Sequence, residues 1–168
     1  MSLQYLIDAN IFITASRTYY DFDFGDGFWD FLVEQGEKKI IASIDKVLNE
    51  LKKGDDKLKE WATKDFSKYF INTITDNVLK QYAILMQWAD KQRNQYSQNA
   101  IDEFMEENNA DAWLIALALT DKDKYAIVTF EKENNQIKRK IPIPNVCNAF
   151  KIKYCDLFQM LKKLNFKL

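Results

Sequence analysis

Short apolar runs alternate along this chain with segments whose apolar residues recur at helical spacing, and that alternation limits what it can fold into. Leu3 to Ile7, Lys39 to Ala42 and Tyr125 to Phe130 read as buried strands. Between and after them, amphipathic patterns predict helices over Ile11 to Ser16, Phe28 to Gly36, Ile44 to Lys53, Ile74 to Arg93, Ile101 to Met105 and Asp156 to Leu164. Leu58 and Trp61 begin a further amphipathic helix. Ala110 to Leu119 is apolar almost all round, so that helix is expected to be buried on several sides. Strands that follow helices in this way predict a parallel sheet covered on both faces. The expected fold is an α/β, three-layer α/β/α sandwich with a mainly parallel sheet of four or five short strands. The helical stretch between Asp55 and Asn109 is its expected insertion, and residues 1–168 are read as one domain.

Other segments carry more local expectations. Asn10 is suited to cap the first helix and Ser43 the one beginning at Ile44. Gly25-Asp26-Gly27 reads as a turn, and Gly54-Asp55-Asp56 as a helix stop. Phe66 to Ile71 reads as an extended connection and Phe150 to Tyr154 as an edge strand. Ile141-Pro142-Ile143-Pro144 is expected to be extended and outside any sheet. The aromatic run from Tyr19 to Phe31 is interleaved with Asp21, Asp23, Asp26 and Asp30. Those acids would repel phosphate, so the run reads as packing against the core. The faces that carry Trp61, Trp88 and Trp113 read as core or as the interface of a homodimer.

Composition narrows the chemistry. There is no histidine among 168 residues, which removes Ser-His-Asp triads, histidine zinc sites and a histidine general base. Cys147 and Cys155 match no metal or redox spacing and fit a reduced, cytoplasmic protein. No apolar run approaches the roughly 18 residues of a membrane span, and the N-terminus does not read as a signal peptide. A hydrolase of this composition must work through carboxylates and a hard metal ion. The net charge of −1 hides an asymmetry: residues 132–168 carry nine basic and two acidic side chains, a net +7. Such a basic quarter fits an anion-facing patch or simply solvated helix faces.

Ligands of parallel sheets bind outside the carboxyl ends of the strands. Asp8 ends the first strand, Glu131 follows the strand Tyr125–Phe130, and Glu133 comes two residues later. Asp111 opens the apolar helix, and Glu50 sits late in the helix after the second strand. Each acid alone reads more simply as a turn, cap or surface charge. Together they form a set that would repel itself unless a divalent cation joined it.

Four motifs carry this set: Asp8-x-Asn10 after a strand, Val47-Leu48-Asn49-Glu50-Leu51 on a helix, Asn109-Ala110-Asp111 opening a helix, and Thr129-Phe130-Glu131 after a strand. In this order, over nearly the whole chain, they resemble a PIN domain. The aromatic run and Ile141-Pro142-Ile143-Pro144-Asn145-Val146-Cys147 resemble an uncharacterised, toxin-like subgroup. The resemblance implies a Mg²⁺- or Mn²⁺-dependent endoribonuclease with Asp8, Glu50, Asp111 and Glu131 as catalytic and metal-holding acids. Asn10 and Thr129 would support them, and an antitoxin protein would block the groove. Glu131 stands where the family usually has Asp, and Glu133 is a competing carboxylate. Lys138, Arg139 and Lys140 are candidates for holding the RNA backbone, with Arg17 a weaker one. Two other readings compete: a non-catalytic PIN-like module that binds nucleic acid or protein, and an aspartyl-phosphate phosphatase. The phosphatase expects Asp where Asn10 stands.

Overall fold

The computed structural model describes residues 3–54 and 56–168. Its centre is a five-stranded, all-parallel sheet in the order β3-β2-β1-β4-β5. The strands are β1 (Gln4–Ile7), β2 (Ile41–Ile44), β3 (Phe70–Ile71), β4 (Tyr125–Val128) and β5 (Lys153–Cys155). Every residue of β2 and β4 is buried, because helices cover both faces of the sheet. The protein is therefore an α/β/α sandwich.

The helices are α1 (Ala9–Thr14), α2 (Asp26–Glu37), α3 (Asp45–Leu51), α4 (Lys57–Lys64), α5 (Asp76–Asp90), α6 (Gln98–Met105), α7 (Ala110–Thr120), α8 (Ile143–Phe150) and α9 (Leu157–Lys163). Helix α7 lies against β2 and β4 and is covered in turn by α5, α6 and α8, so its sides are buried as its composition requires. A π-helical turn, Ala15–Tyr19, continues α1, and a 3₁₀ turn, Ser67–Tyr69, precedes β3.

The aromatic run does pack inward. Tyr20 stacks on Phe28 and Phe22 on Trp29, with ring centroids 4.2 Å apart in both pairs. Trp29 meets Trp61, which stacks on Phe66 at 4.8 Å. Phe12 touches both Trp61 and Phe66. These rings join the first helix to the segment after α3, and Trp29 Nε1–H donates to the Tyr20 carbonyl at 2.7 Å. Phe24 stands clear of these stacks, 91% exposed, and Tyr19 is about half exposed where it packs edge-on against Phe158.

Several local expectations are corrected. Asp8, not Asn10, occupies the N-cap of α1, through its backbone carbonyl, which accepts from Ile11 N–H. Asn10 is exposed in the first turn. Ser43 caps nothing; it lies within β2 and its hydroxyl donates to the Ile7 carbonyl at 2.6 Å. Asp26 and Gly27 belong to α2 rather than to a turn. The stretch expected to be all helical contains β3, which extends the sheet beyond β2. Only Ile141-Pro142 is extended. Pro144 sits in the first turn of α8, where its missing N–H costs no helical hydrogen bond. Helix α5 is shorter than expected at both ends, starting after the Thr75 cap and ending at Asp90. Asp55, within the expected helix stop, lies outside the described residues. Among the described residues, no helix is long and apolar enough to cross a membrane.

Ser43 is fully buried and its hydroxyl ties β2 to the last residue of β1. Ser43→Ala is expected to lower stability by about 1 kcal/mol, the typical net worth of such a bond, measured by urea unfolding.

Candidate functional site

The strand order places the site. From β1 the chain steps to β2 and β3 on one side, then crosses back to β4 on the other side of β1. The carboxyl ends of β1 and β4 thus flank a topological switch point, where an open parallel sheet leaves a crevice. Ile7 pairs with Val128 at that end. Asp8 and Thr129 follow directly, 121 residues apart in sequence, and the Thr129 hydroxyl donates to Asp8 Oδ2 at 2.9 Å. Asp8 N–H in turn donates to the Val128 carbonyl at 3.0 Å. Asp8 is 3% exposed and Thr129 1%, so one carboxylate oxygen is fixed from within the fold.

Asp8, Glu50 and Asp111 line one cleft of about 560 Å³, together with Asn10, Asn109 and Lys140. Asp111 is held there by two contacts of Asn109. The Asn109 side chain accepts from Asp111 N–H at 3.0 Å and donates to the Glu103 carbonyl at 2.8 Å, tying α6 to the start of α7. Glu50 reaches the cleft from the exposed face of α3. Glu131 joins the group through Lys140, whose Nζ lies 2.8 Å from Glu131 Oε1 and 4.0 Å from Asp111 Oδ2. The backbone N–H of Glu131 donates to Thr129 Oγ1 at 3.1 Å, so one threonine braces both acids. Glu131 Oε2 is buried and has no hydrogen-bond partner among the described residues.

Three of the four acids of the sequence reading thus line one cleft, Glu131 is linked to it through Lys140, and Thr129 hydrogen-bonds to Asp8 and to the backbone of Glu131. Glu133 is not among them. It is exposed, accepts a hydrogen bond from the Asn135 side chain and lines a neighbouring pocket together with Phe130, Glu131 and Lys132, with no ion pair to Lys140. Of the basic run, Lys140 turns inward while Lys138 and Arg139 are exposed. Arg17 lines a separate cleft with Asp21, Asp23 and Lys57. Residues given no site role in the sequence reading complete the cleft: Lys46 and Asn49 from α3, Lys53 from the turn after it, and Glu103, Glu106 and Asn108 from α6 and the turn after it. Lys46 carried a signal, since it stands four residues before Glu50, on the same face of α3.

Crowding these charges out of water has a measurable cost. Burial, followed by the negative charge of Glu131, pushes the Asp8 carboxyl up to about 7, against the Thr129 hydrogen bond and Lys140. Burial also holds Asp111 well above the usual carboxylate range, with Asp8 and Glu131 adding to the effect. For Lys140, burial favours the neutral amine, but the hydrogen bond to Glu131 and the surrounding carboxylates prevail and keep its pKa raised. All potential ligands here are oxygens, the donor type that hard divalent cations prefer. In this arrangement, however, no three His, Cys, Asp or Glu side chains among the described residues converge to hold one ion.

The titration of Asp8 has a defined sign. The unfolded chain releases this proton near pH 4 and the folded chain near pH 7, so stability falls as pH rises across that window. Asp8→Asn keeps an acceptor for Thr129 but cannot ionise. In chelator, its stability relative to the unsubstituted chain is expected to rise between about pH 4 and about pH 7, by up to about 4 kcal/mol, and then level off. Urea unfolding across that range checks it.

Comparison with known proteins agrees with the extent of the fold rather than with any named activity. No curated protein and no solved structure gives a significant match. One family model does match, over residues 5–168, from β1 through the C-terminus and so across every element that builds the cleft. On that match the chain belongs to the family described as "Domain of unknown function (DUF4411)".

Proposed function

We propose that this protein is a divalent-metal-dependent endoribonuclease of the PIN type that hydrolyses RNA phosphodiester bonds. The observation that carries the reading is the gathering of Asp8, Glu50, Asp111 and Glu131, from four separate elements, at the switch point of a parallel sheet. A protein that gathers acids at a cost to its own stability gains from doing so when a cation binds there.

Asp8, Glu50, Asp111 and Glu131 are the residues that would hold Mg²⁺ or Mn²⁺. Such an ion supplies activation of water and neutralises charge on the phosphate. The chain's own groups do the rest. Thr129 fixes the direction of Asp8 and the backbone of Glu131. Lys46 and Lys53 stand on the cleft wall, where ammonium groups attract the RNA backbone. Lys46 is braced by Asp45 at 3.5 Å and by the Trp113 ring, 4.9 Å from its centroid. Lys138 and Arg139 lie on the exposed loop before Lys140, within the basic C-terminal quarter, and extend the phosphate-binding surface in this reading. An antitoxin protein that covers the acidic cleft is the partner this reading expects, and a homodimer the expected assembly.

A non-catalytic binding module is the second reading. Two observations favour it: among the described residues no three acids converge on one point, and Lys140 already neutralises part of the cluster. The aspartyl-phosphate reading gains nothing, because the position it needs as a second acid is Asn10, exposed in α1.

Digestion of single-stranded RNA separates these readings. The unsubstituted protein is expected to cleave with Mg²⁺ or Mn²⁺ and to lose cleavage in chelator. Asp8→Asn and Asp111→Asn should each lose about a hundredfold or more, and Thr129→Val about ten- to a hundredfold by misdirecting Asp8. Cleavage by Asp8→Asn at the unsubstituted rate would sink the nuclease reading, and hydrolysis of a small phosphate ester instead of RNA would revive the phosphatase.

A further inference from the structure

Lys140 has a peculiar position for a lysine in a loop rich in exposed charges. Its two predecessors, Lys138 and Arg139, face solvent, and Ile141 after it is buried. Pro142 then stiffens the entry to α8. The Lys140 backbone is thereby anchored at the rim of the cleft, and its long side chain reaches in among the acids. Its Nζ bonds Glu131 Oε1 at 2.8 Å and approaches Asp111 Oδ2 to 4.0 Å. Yet it serves only part of what is there: Glu131 Oε2, buried in the same place, has no hydrogen-bond partner among the described residues.

Resting on the metal-dependent reading above, we propose that Lys140 is the resident cation of the acidic cleft, which a divalent ion must displace from Glu131 and Asp111 in order to bind. The ammonium holds the acids in an arrangement where, among the described residues, no three of them converge on a single point. Four carboxyl groups gather around this one ammonium, so a doubly charged ion with more coordination positions is favoured over it. Lys140 is also the group best able to leave. It is 39% exposed, its chain is flexible, and water waits at the rim to take up its charge. Lys46 does not share this role, because Asp45 and the Trp113 ring hold it to the α3 wall.

Calorimetric titration with Mn²⁺ alone, without RNA, tests the competition. Lys140→Met keeps the length of the side chain and removes the charge. It is expected to bind Mn²⁺ about tenfold more tightly than the unsubstituted protein, because a charge-assisted hydrogen bond no longer has to be broken. Lys80→Met, on the exposed face of α5 and away from the cleft, should bind Mn²⁺ as the unsubstituted protein does. Equal or weaker binding by Lys140→Met would overturn the inference while leaving the metal reading intact. Absence of Mn²⁺ binding in every form would overturn both. A second measurement needs no variant. Acylation of Lys140 by an amine-reactive ester, read by mass spectrometry, is expected to increase at least severalfold when Mn²⁺ is added, as the ammonium leaves Glu131. Unchanged or reduced labelling would overturn the displacement.

Discussion

Everything about this site depends on how a buried carboxylate is kept in place at the end of β1. Asp8 has almost no contact with water, and a carboxylate so placed is costly unless its lone pairs are satisfied. Thr129 satisfies one oxygen, and the backbone of Asp8 is tied to Val128 on the neighbouring strand. The hydrogen bond between Asp8 and Thr129 therefore does two jobs. It aims the carboxylate into the cleft, and it locks together the strands on either side of the switch point. The other acids are arranged around that fixed oxygen: Asp111 by the Asn109 cap, Glu131 by the same threonine, and Glu50 by the register of α3.

The distribution of polar and apolar residues follows from this. Apolar side chains fill both faces of the sheet, and polar ones appear where strands stop. Ser43, buried in β2, is the exception that proves useful, since its hydroxyl braces the carbonyl of Ile7 just before Asp8. The aromatic cluster of Phe12, Trp29, Trp61 and Phe66 holds α1, which starts at Asp8, against the segment that follows α3. The rings that a reader of the sequence is tempted to give to a ligand are thus part of the site's mounting.

Much of this was legible in the residues because it is written at short range. Short apolar runs marked β1, β2 and β4, helical spacing of apolar residues marked the helices, and Asp8 and Asp111 each stood beside a strongly apolar segment. Asp8 and Asp111 were readable because buried segments rarely end on a charge by chance. The choice between Glu131 and Glu133 was not readable, since both follow β4 and only the backbone hydrogen bond to Thr129 turns the first inward. Nor was the inward turn of Lys140, which in sequence looks like any member of a basic run. The two-residue strand β3 is too short for any periodicity to show, and it owes its existence to the open edge of β2. Asn10 and Ser43 have good capping chemistry, but the Ile7 carbonyl claims the Ser43 hydroxyl, and Asn10 falls inside a helix whose cap position is already taken by Asp8.

The pairing of β1 with β4 has a consequence for how the protein comes into being. The two residues at the heart of the site, Asp8 and Thr129, lie 121 positions apart, and Lys140 follows later still. Contacts that far apart close late, because the loop between them must first surrender its entropy. During synthesis the first acid leaves the ribosome while most of its companions are still untranslated. The cleft can be assembled only when nearly the whole polypeptide has emerged, so a truncated or half-made chain carries the leading aspartate without the site it serves.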